Sequence, residues 1–200
     1  MPELDALLAR FEGLTTAALD RAEAHLAGLL GRPLRMTGRA VGLVPLEDAV
    51  RVFGREDSAV VAIHLGFTGA LTGQILFLLP EEAAAELISW CLPEPASPEL
   101  RASVLAEIGN VAGSAFLNEL ADMFALRVTV TPPDIAHDLS GAILGSVLPL
   151  VEAVPGRVLL VQTRLGEGGH AVGGLFLLMP DHASLETLMR LAGGRVAGVP

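Results

Sequence analysis

Gly73-Gln-Ile-Leu-Phe-Leu-Leu-Pro80 returns one hundred residues later as Gly173-Gly-Leu-Phe-Leu-Leu-Met-Pro180. Each copy is a Gly-opened apolar run closed by Pro. Each is followed by an acidic residue, Glu81 or Asp181, and by a helical pattern carrying Ala83 and Glu86 or Ala183 and Glu186. A short apolar run bounded by Gly and Pro reads as a buried strand. Because the segment after it repeats as well, the chain is expected to be one domain made of two repeats, about 1–92 and 97–200.

Working outward from these runs, each half offers the same series: a long helix, a strand, a short helix, a two-stranded hairpin and a closing helix. In the first half the expected elements are Leu4–Leu30, Leu34–Val44, Glu47–Phe53, Ser58–Leu65 with Leu71–Leu79, and Glu81–Cys91. In the second they are Pro98–Ala125, Leu126–Thr131, Leu139–Leu148, Arg157–Leu165 with Ala171–Met179, and His182–Ala192. The joint is Leu92-Pro-Glu-Pro-Ala-Ser-Pro98, where three prolines stop the preceding helix and Ser97 with Pro98 forms an N-cap and first-turn pair for the next. Strands arriving as hairpins pair antiparallel, so the expected class is α+β, with one shared sheet and helices over its face.

Composition narrows the function. The net charge is −10, no lysine is present, and the thirteen arginines are scattered singly, so nothing is available to neutralise a row of phosphates and nucleic acid is not an expected partner. Cys91 is the only cysteine, which precludes an intrachain disulfide. The start Met-Pro-Glu-Leu-Asp lacks the basic and apolar segments of a signal peptide, so the expected compartment is the cytoplasm. The most hydrophobic window, Ser58 to Pro80, is interrupted by His64, Gln74 and three glycines, which suits two strands and a turn rather than a membrane insertion.

Polar side chains are arrayed as if for chemistry in one place, the stretch Ser103-Val-Leu-Ala-Glu-Ile-Gly-Asn110 and its continuation to Pro133. On a helix turning ~100° per residue, Ser103, Glu107 and Asn110 fall within roughly 60° of one another. Ser114 and Asn118 continue the stripe, while Val104, Ile108, Val111, Ala112 and Ala115 take the adjoining face. A carboxylate and a carboxamide thus share one edge of an amphipathic helix.

The spacing of Ser103, Glu107, Asn110 and Pro133, with the wording Glu107-Ile-Gly-Asn110, resembles the CheC family of chemotaxis phosphatases, related to CheX and FliY. The resemblance covers nearly the whole chain and implies a pseudo-two-fold α+β fold, an antiparallel sheet with two long helices on one face. It implies that Glu107 and Asn110 are catalytic, with Ser103 and Pro133 in support, and that the substrate is the aspartyl phosphate of the response regulator CheY. No cofactor is then expected on this chain, since Mg2+ belongs to the partner. The receptor deamidase CheD is a further partner that the resemblance admits. A non-catalytic adaptor for phosphorylated CheY or CheD is the alternative function.

Aligned by the family pattern, the first half has Ala9, Gly13, Thr16 and Arg39 where the second has Ser103, Glu107, Asn110 and Pro133. Sliding by one residue brings Glu12 into the carboxylate position but puts Thr15 in place of the amide. One working site is therefore expected. Ser103 reads equally as a functional hydroxyl and as a solvated helix residue, and Pro133 reads more as a turn-former than as a phosphate contact. Gly109 and Gly113 read as a close helix approach. The five histidines have no metal-ligand spacing, so no metal site is expected. Asp134, His137 and Asp138 read as turn and cap residues ahead of a helix at Leu139.

Overall fold

The computed structural model describes residues 2–31, 33, 35–45, 48, 57–93, 95–147, 157–167 and 170–192. The long amphipathic run opening each half folds as a helix, α1 (Pro2–Leu30) and α3 (Pro98–Phe124). The closing helices of the two halves are α2 (Glu81–Cys91) and α5 (His182–Ala192), and α4 (Ser140–Val147) is shorter. The strands are β1 (Arg35–Pro45), β2 (Ala59–Gly69), β3 (Gly73–Pro80), β4 (Val128–Val130), β5 (Asp134–Leu139), β6 (Arg157–Glu167) and β7 (His170–Pro180). The apolar window from Ser58 to Pro80 is the β2–β3 hairpin, and among the described residues no helix is long and apolar enough to cross a membrane. The short helix expected over Glu47–Phe53 lies, apart from Asp48, outside the described residues.

All strands pair antiparallel in the order β1-β6-β7-β3-β2-β4, with β5 also on β2. The order is interleaved. β1 leaves its own half to pair with β6, and β4 and β5 leave theirs to pair with β2. The two hairpins meet at the centre, where Leu76 faces Leu177 and Phe77 faces Phe176.

Side chains alternate across the sheet because the strand period is two. On one face Val61, Ile63, Leu65, Phe67, Ile75, Phe77, Val161, Phe176 and Leu178 join the buried residues of α1, α2, α3 and α5. Phe116 of α3 lies against Phe176 with ring centroids 4.8 Å apart. α1 and α3, the two long helices, share this face as expected. Arg10 near the start of α1 lies over the ring of Phe124 at the end of α3, and farther along α1 Arg21 pairs with Glu119 at 2.5 Å. Trp90 and Cys91 are half-buried and pack against the same core.

Two sequence-based readings are corrected. Helices do not lie on one face alone: Ile143 and Leu144 of α4 pack with Val60, Ala62, Leu76, Leu78, Leu160, Leu175 and Leu177 on the opposite face. A sheet apolar on both sides needs a cover on both. Asp134, His137 and Asp138 are not turn residues; they belong to β5, whose pairing runs from Ala59 against Leu139 to His64 against Asp134. A polar segment becomes a strand here because the edge of β2 needs backbone partners, a demand its own composition does not reveal. The one-hundred-residue spacing does not preserve sheet faces, since Phe77 lies on the long-helix face and Leu177 on the other. The helices that follow the two runs, α2 and α5, start one residue further apart, with Asp181 as the extra residue. With a period of two, one residue is enough to exchange inside and outside.

Candidate functional site

α3 begins and ends on defined caps. Ser97 Oγ accepts a hydrogen bond from the Leu100 N–H at 3.3 Å with Pro98 in the first turn, and Arg101 N–H bonds the Ser97 carbonyl at 3.0 Å. Glu99 adds a negative charge at this helix start. Its carboxyl is held below the usual carboxylate range, first by a hydrogen bond from its own backbone N–H and then by Ser97. The helix stops where Ala125 turns left-handed at φ 51°, and the Leu126 N–H closes on the Ala121 carbonyl at 2.8 Å.

Between these ends, Leu105, Ile108, Gly109, Ala112, Gly113, Phe116 and Leu120 face the core. The two glycines set the depth of the packing. A methyl group at Gly109 would overlap Ile63 of β2, and one at Gly113 would meet Leu65 Cδ2 at 3.3 Å. The close approach read from the sequence is therefore helix against sheet. It fixes the rotation of α3, because the face that carries Gly109 and Gly113 cannot turn away from β2 without opening the core.

The outward stripe follows from that rotation. Ser103 and Glu107 are exposed, Asn110 and Ser114 half-buried, and Asn118 exposed. Leu100, which the sequence reading did not single out, opens the same stripe at 49% exposure. The signal for it was its position on the helical wheel, within about 80° of the other five. Among the described residues neither Glu107 nor Asn110 has a side-chain hydrogen bond or ion pair. Both groups are held by a rigid, packed element and are uncommitted.

Pro133 is half-buried and lies off this stripe, in the break between β4 and β5. There Phe67 pairs with Val130 and His64 with Asp134, so Leu65 and Gly66 stand opposite Thr131–Pro133. Thr131 spans the break: its N–H donates to the Gly66 carbonyl at 2.8 Å, and its Oγ1 accepts from the Gly66 N–H at 2.8 Å. A residue without an N–H fits such an interruption.

The first helix offers nothing comparable. Ala9, Gly13 and Thr16 are exposed, a methyl at Gly13 would meet open space, and the Thr16 hydroxyl donates to the Glu12 carbonyl at 3.3 Å. In the register shifted by one, Thr15 is 2% exposed and its hydroxyl donates to the Phe11 carbonyl at 2.6 Å, so it is closed to any partner. Arg39 sits in β1 opposite Gln162.

Among the described residues no group of three or more His, Cys, Asp or Glu is placed to hold a metal. A cleft of about 370 Å³ between α2, the start of α3 and β5 is lined by Val61, Ala84, Ile88, Arg101, Leu105 and His137. These α3 residues lie on the side of the helix away from Glu107 and Asn110. The acid and amide are thus carried on an open convex surface.

The fold is α+β with β1, β4 and β5 paired across the two halves, and it carries an acid–amide stripe outward on one long helix. No family model matches the chain. CheY-P phosphatase CheC of Bacillus subtilis (strain 168) is 27% identical over 177 residues, 84% of this chain and 85% of that protein. The crystal structure of Thermotoga maritima FliY superposes with a TM-score of 0.72 at 16% identity, covering 95% of each chain. CheX in the CheX–CheY–BeF3–Mg2+ complex from Borrelia burgdorferi superposes with a TM-score of 0.51 at 15% identity, over 84% of this chain and 97% of that one. The chain is thus similar in sequence to CheC over most of its length, and it shares its fold with FliY and CheX.

Proposed function

We propose that the protein is a phosphatase for a phosphorylated CheY-type response regulator, working through one active site on α3. The observation that carries this reading is the outward, uncommitted pair Glu107 and Asn110 on a helix whose rotation is fixed by packing. The likeness to a CheY-P phosphatase and to a CheX seen with CheY supports the choice of partner.

Hydrolysis of an aspartyl phosphate requires a water in line with the leaving carboxylate and positive charge around the transferred phosphoryl group. Asn110 supplies the first requirement. Its carbonyl oxygen accepts a hydrogen bond from the water while its NH2 donates to a phosphoryl oxygen, and no proton need leave or join the amide. Water attacks phosphorus, the P–O bond to the aspartyl group breaks, and inorganic phosphate and a free carboxylate result. Glu107, one turn earlier, pairs with a cationic side chain of the response regulator and so sets where Asn110 lands. Mg2+ and that cation belong to the partner, and this chain contributes no cofactor. Ser103 lies on the same stripe, where its hydroxyl hydrates or contacts the docked partner, and Pro133 shapes the neighbouring strand break. The reaction belongs in the cytoplasm, where response regulators are phosphorylated.

The test is phosphate release from a phosphorylated CheY-type protein in the presence of substoichiometric enzyme. Multiple turnovers are expected, and Asn110→Ala should lower kcat by about a hundredfold or more, the scale of losing one positioned polar group in a transition state. Absence of turnover by the wild type would reject the reading.

A second reading is favoured by the bare stripe of α1, which leaves half of the duplicated surface without chemistry. In it the protein is an adaptor for phosphorylated CheY or for CheD. Binding without acceleration of phosphate release, or capture of CheD by the Asn110→Ala variant as well as by wild type, would identify that role.

A further inference from the structure

Leu100 is a large apolar side chain exposed to 49% at a position where the helix is ordered, since its own N–H is tied to Ser97 Oγ at 3.3 Å. Two other large apolar side chains are exposed among the described residues, Met123 and Leu139. Met123 lies roughly on the opposite side of α3 from the stripe, and Leu139 belongs to β5. Leu100 alone continues the line of Ser103, Glu107 and Asn110.

We infer that Leu100 is a positioning residue, the apolar anchor that docks the response regulator so that Glu107 and Asn110 reach its phosphorylated aspartate. The inference rests on the phosphatase reading and adds an apolar contact to the charged one made by Glu107. From Leu100 to Asn118 the stripe runs about 27 Å along an open helix. That length matches the footprint of a protein and exceeds a phosphate or a nucleotide. Along it the hydrogen-bonding groups lie toward the middle and C-terminal end, and Leu100 is the only large apolar group. An interface of this kind gains affinity from a desolvated apolar contact beside its charged one, which also sets orientation. A leucine pre-ordered by a helix cap supplies that contact at little entropic cost.

The first half is consistent with this assignment. The alignment that sets Gly13 against Glu107 sets Ala6 against Leu100, so the helix without the acid and amide also lacks the anchor.

The experiment titrates a CheY-type response regulator, held in its phosphorylated-like state with Mg2+ and BeF3, with wild type, Leu100→Ser, Leu100→Met, Met123→Ser and Asn110→Ala. Initial rates of phosphate release are measured alongside, and circular dichroism verifies that each variant is folded. Leu100→Ser should raise Kd and KM about tenfold with kcat unchanged, the share expected from an incompletely buried leucine. Leu100→Met should restore both to within about twofold, and Met123→Ser should leave both at wild-type values. Asn110→Ala should keep its affinity and lose kcat. Unchanged Kd and KM in Leu100→Ser, or a loss of kcat in place of affinity, overturns the anchor while leaving the phosphatase reading intact. A wild type that binds but does not turn over overturns the phosphatase reading, and Kd alone then decides the anchor. A wild type that does neither overturns both.

Discussion

Glu107 and Asn110 sit one turn apart on one helix yet have different expected effects, because in the proposed reaction one side chain engages the partner before hydrolysis and the other acts during it. A charge-assisted hydrogen bond is worth about 1.5–3 kcal/mol, so Glu107→Gln is expected to raise KM by roughly ten- to a hundredfold with a smaller fall in kcat. Asn110→Ala is expected to show the reverse pattern. Steady-state rates over a range of phosphorylated CheY concentration separate the two, and equal effects on both parameters in both variants would contradict the division of labour. This much of the site was legible in the sequence, since helical spacing alone brings Ser103, Glu107 and Asn110 to one edge. What spacing left open was whether that edge faced water or core.

The element that decides it is α3 on β2. Gly109→Ala adds a methyl where Ile63 already sits, and overpacking of that kind costs about 1–3 kcal/mol against a helix-propensity gain of about 1 kcal/mol. The depth of the overlap with Ile63 puts the cost in the upper part of that range, so a net loss of about 1–2 kcal/mol, or several degrees in Tm, is expected for Gly109→Ala. Gly113→Ala, which meets the end of the Leu65 side chain at 3.3 Å, should stay within about 1 kcal/mol of wild type. Thermal unfolding of the pair distinguishes them, and equal stability would mean that α3 is not seated through Gly109. At the start of the same helix, Glu99 titrates below its ordinary range. A carboxyl lowered in the folded state contributes stability that is full above its unfolded pKa and is lost as pH falls through the folded value. The first turn of α3 should therefore exchange its amides faster, relative to global opening, as pH drops through the acid range, and Glu99→Gln should flatten that dependence. The cap at Ser97–Pro98 was legible because capping chemistry is local; the strand at Asp134–Leu139 was not, because its cause is the unpaired edge of β2.

For the whole molecule, the interleaved sheet makes the halves interdependent. β1 has its partner in β6, and β4 and β5 have theirs in β2, while the central contact joins Phe77 to Phe176. Cutting the chain within Leu92–Pro98 should therefore give two fragments that are each largely unfolded alone and that regain native circular dichroism when mixed. An independently folded fragment from either half would show that the shared sheet is not the unit of stability. The sequence by itself determined most of the elements, the repeated phrase, the N-cap of α3 and the helical alignment of acid with amide, because these depend on local periodicity and backbone preference. Only the tertiary structure decided that α4 covers the second face of the sheet, that β1, β4 and β5 pair with strands of the other half, and that Gly109 against Ile63 turns Glu107 and Asn110 outward. Those outcomes depend on burying both faces of a common sheet and pairing its edges, and such demands arise between segments distant in the chain.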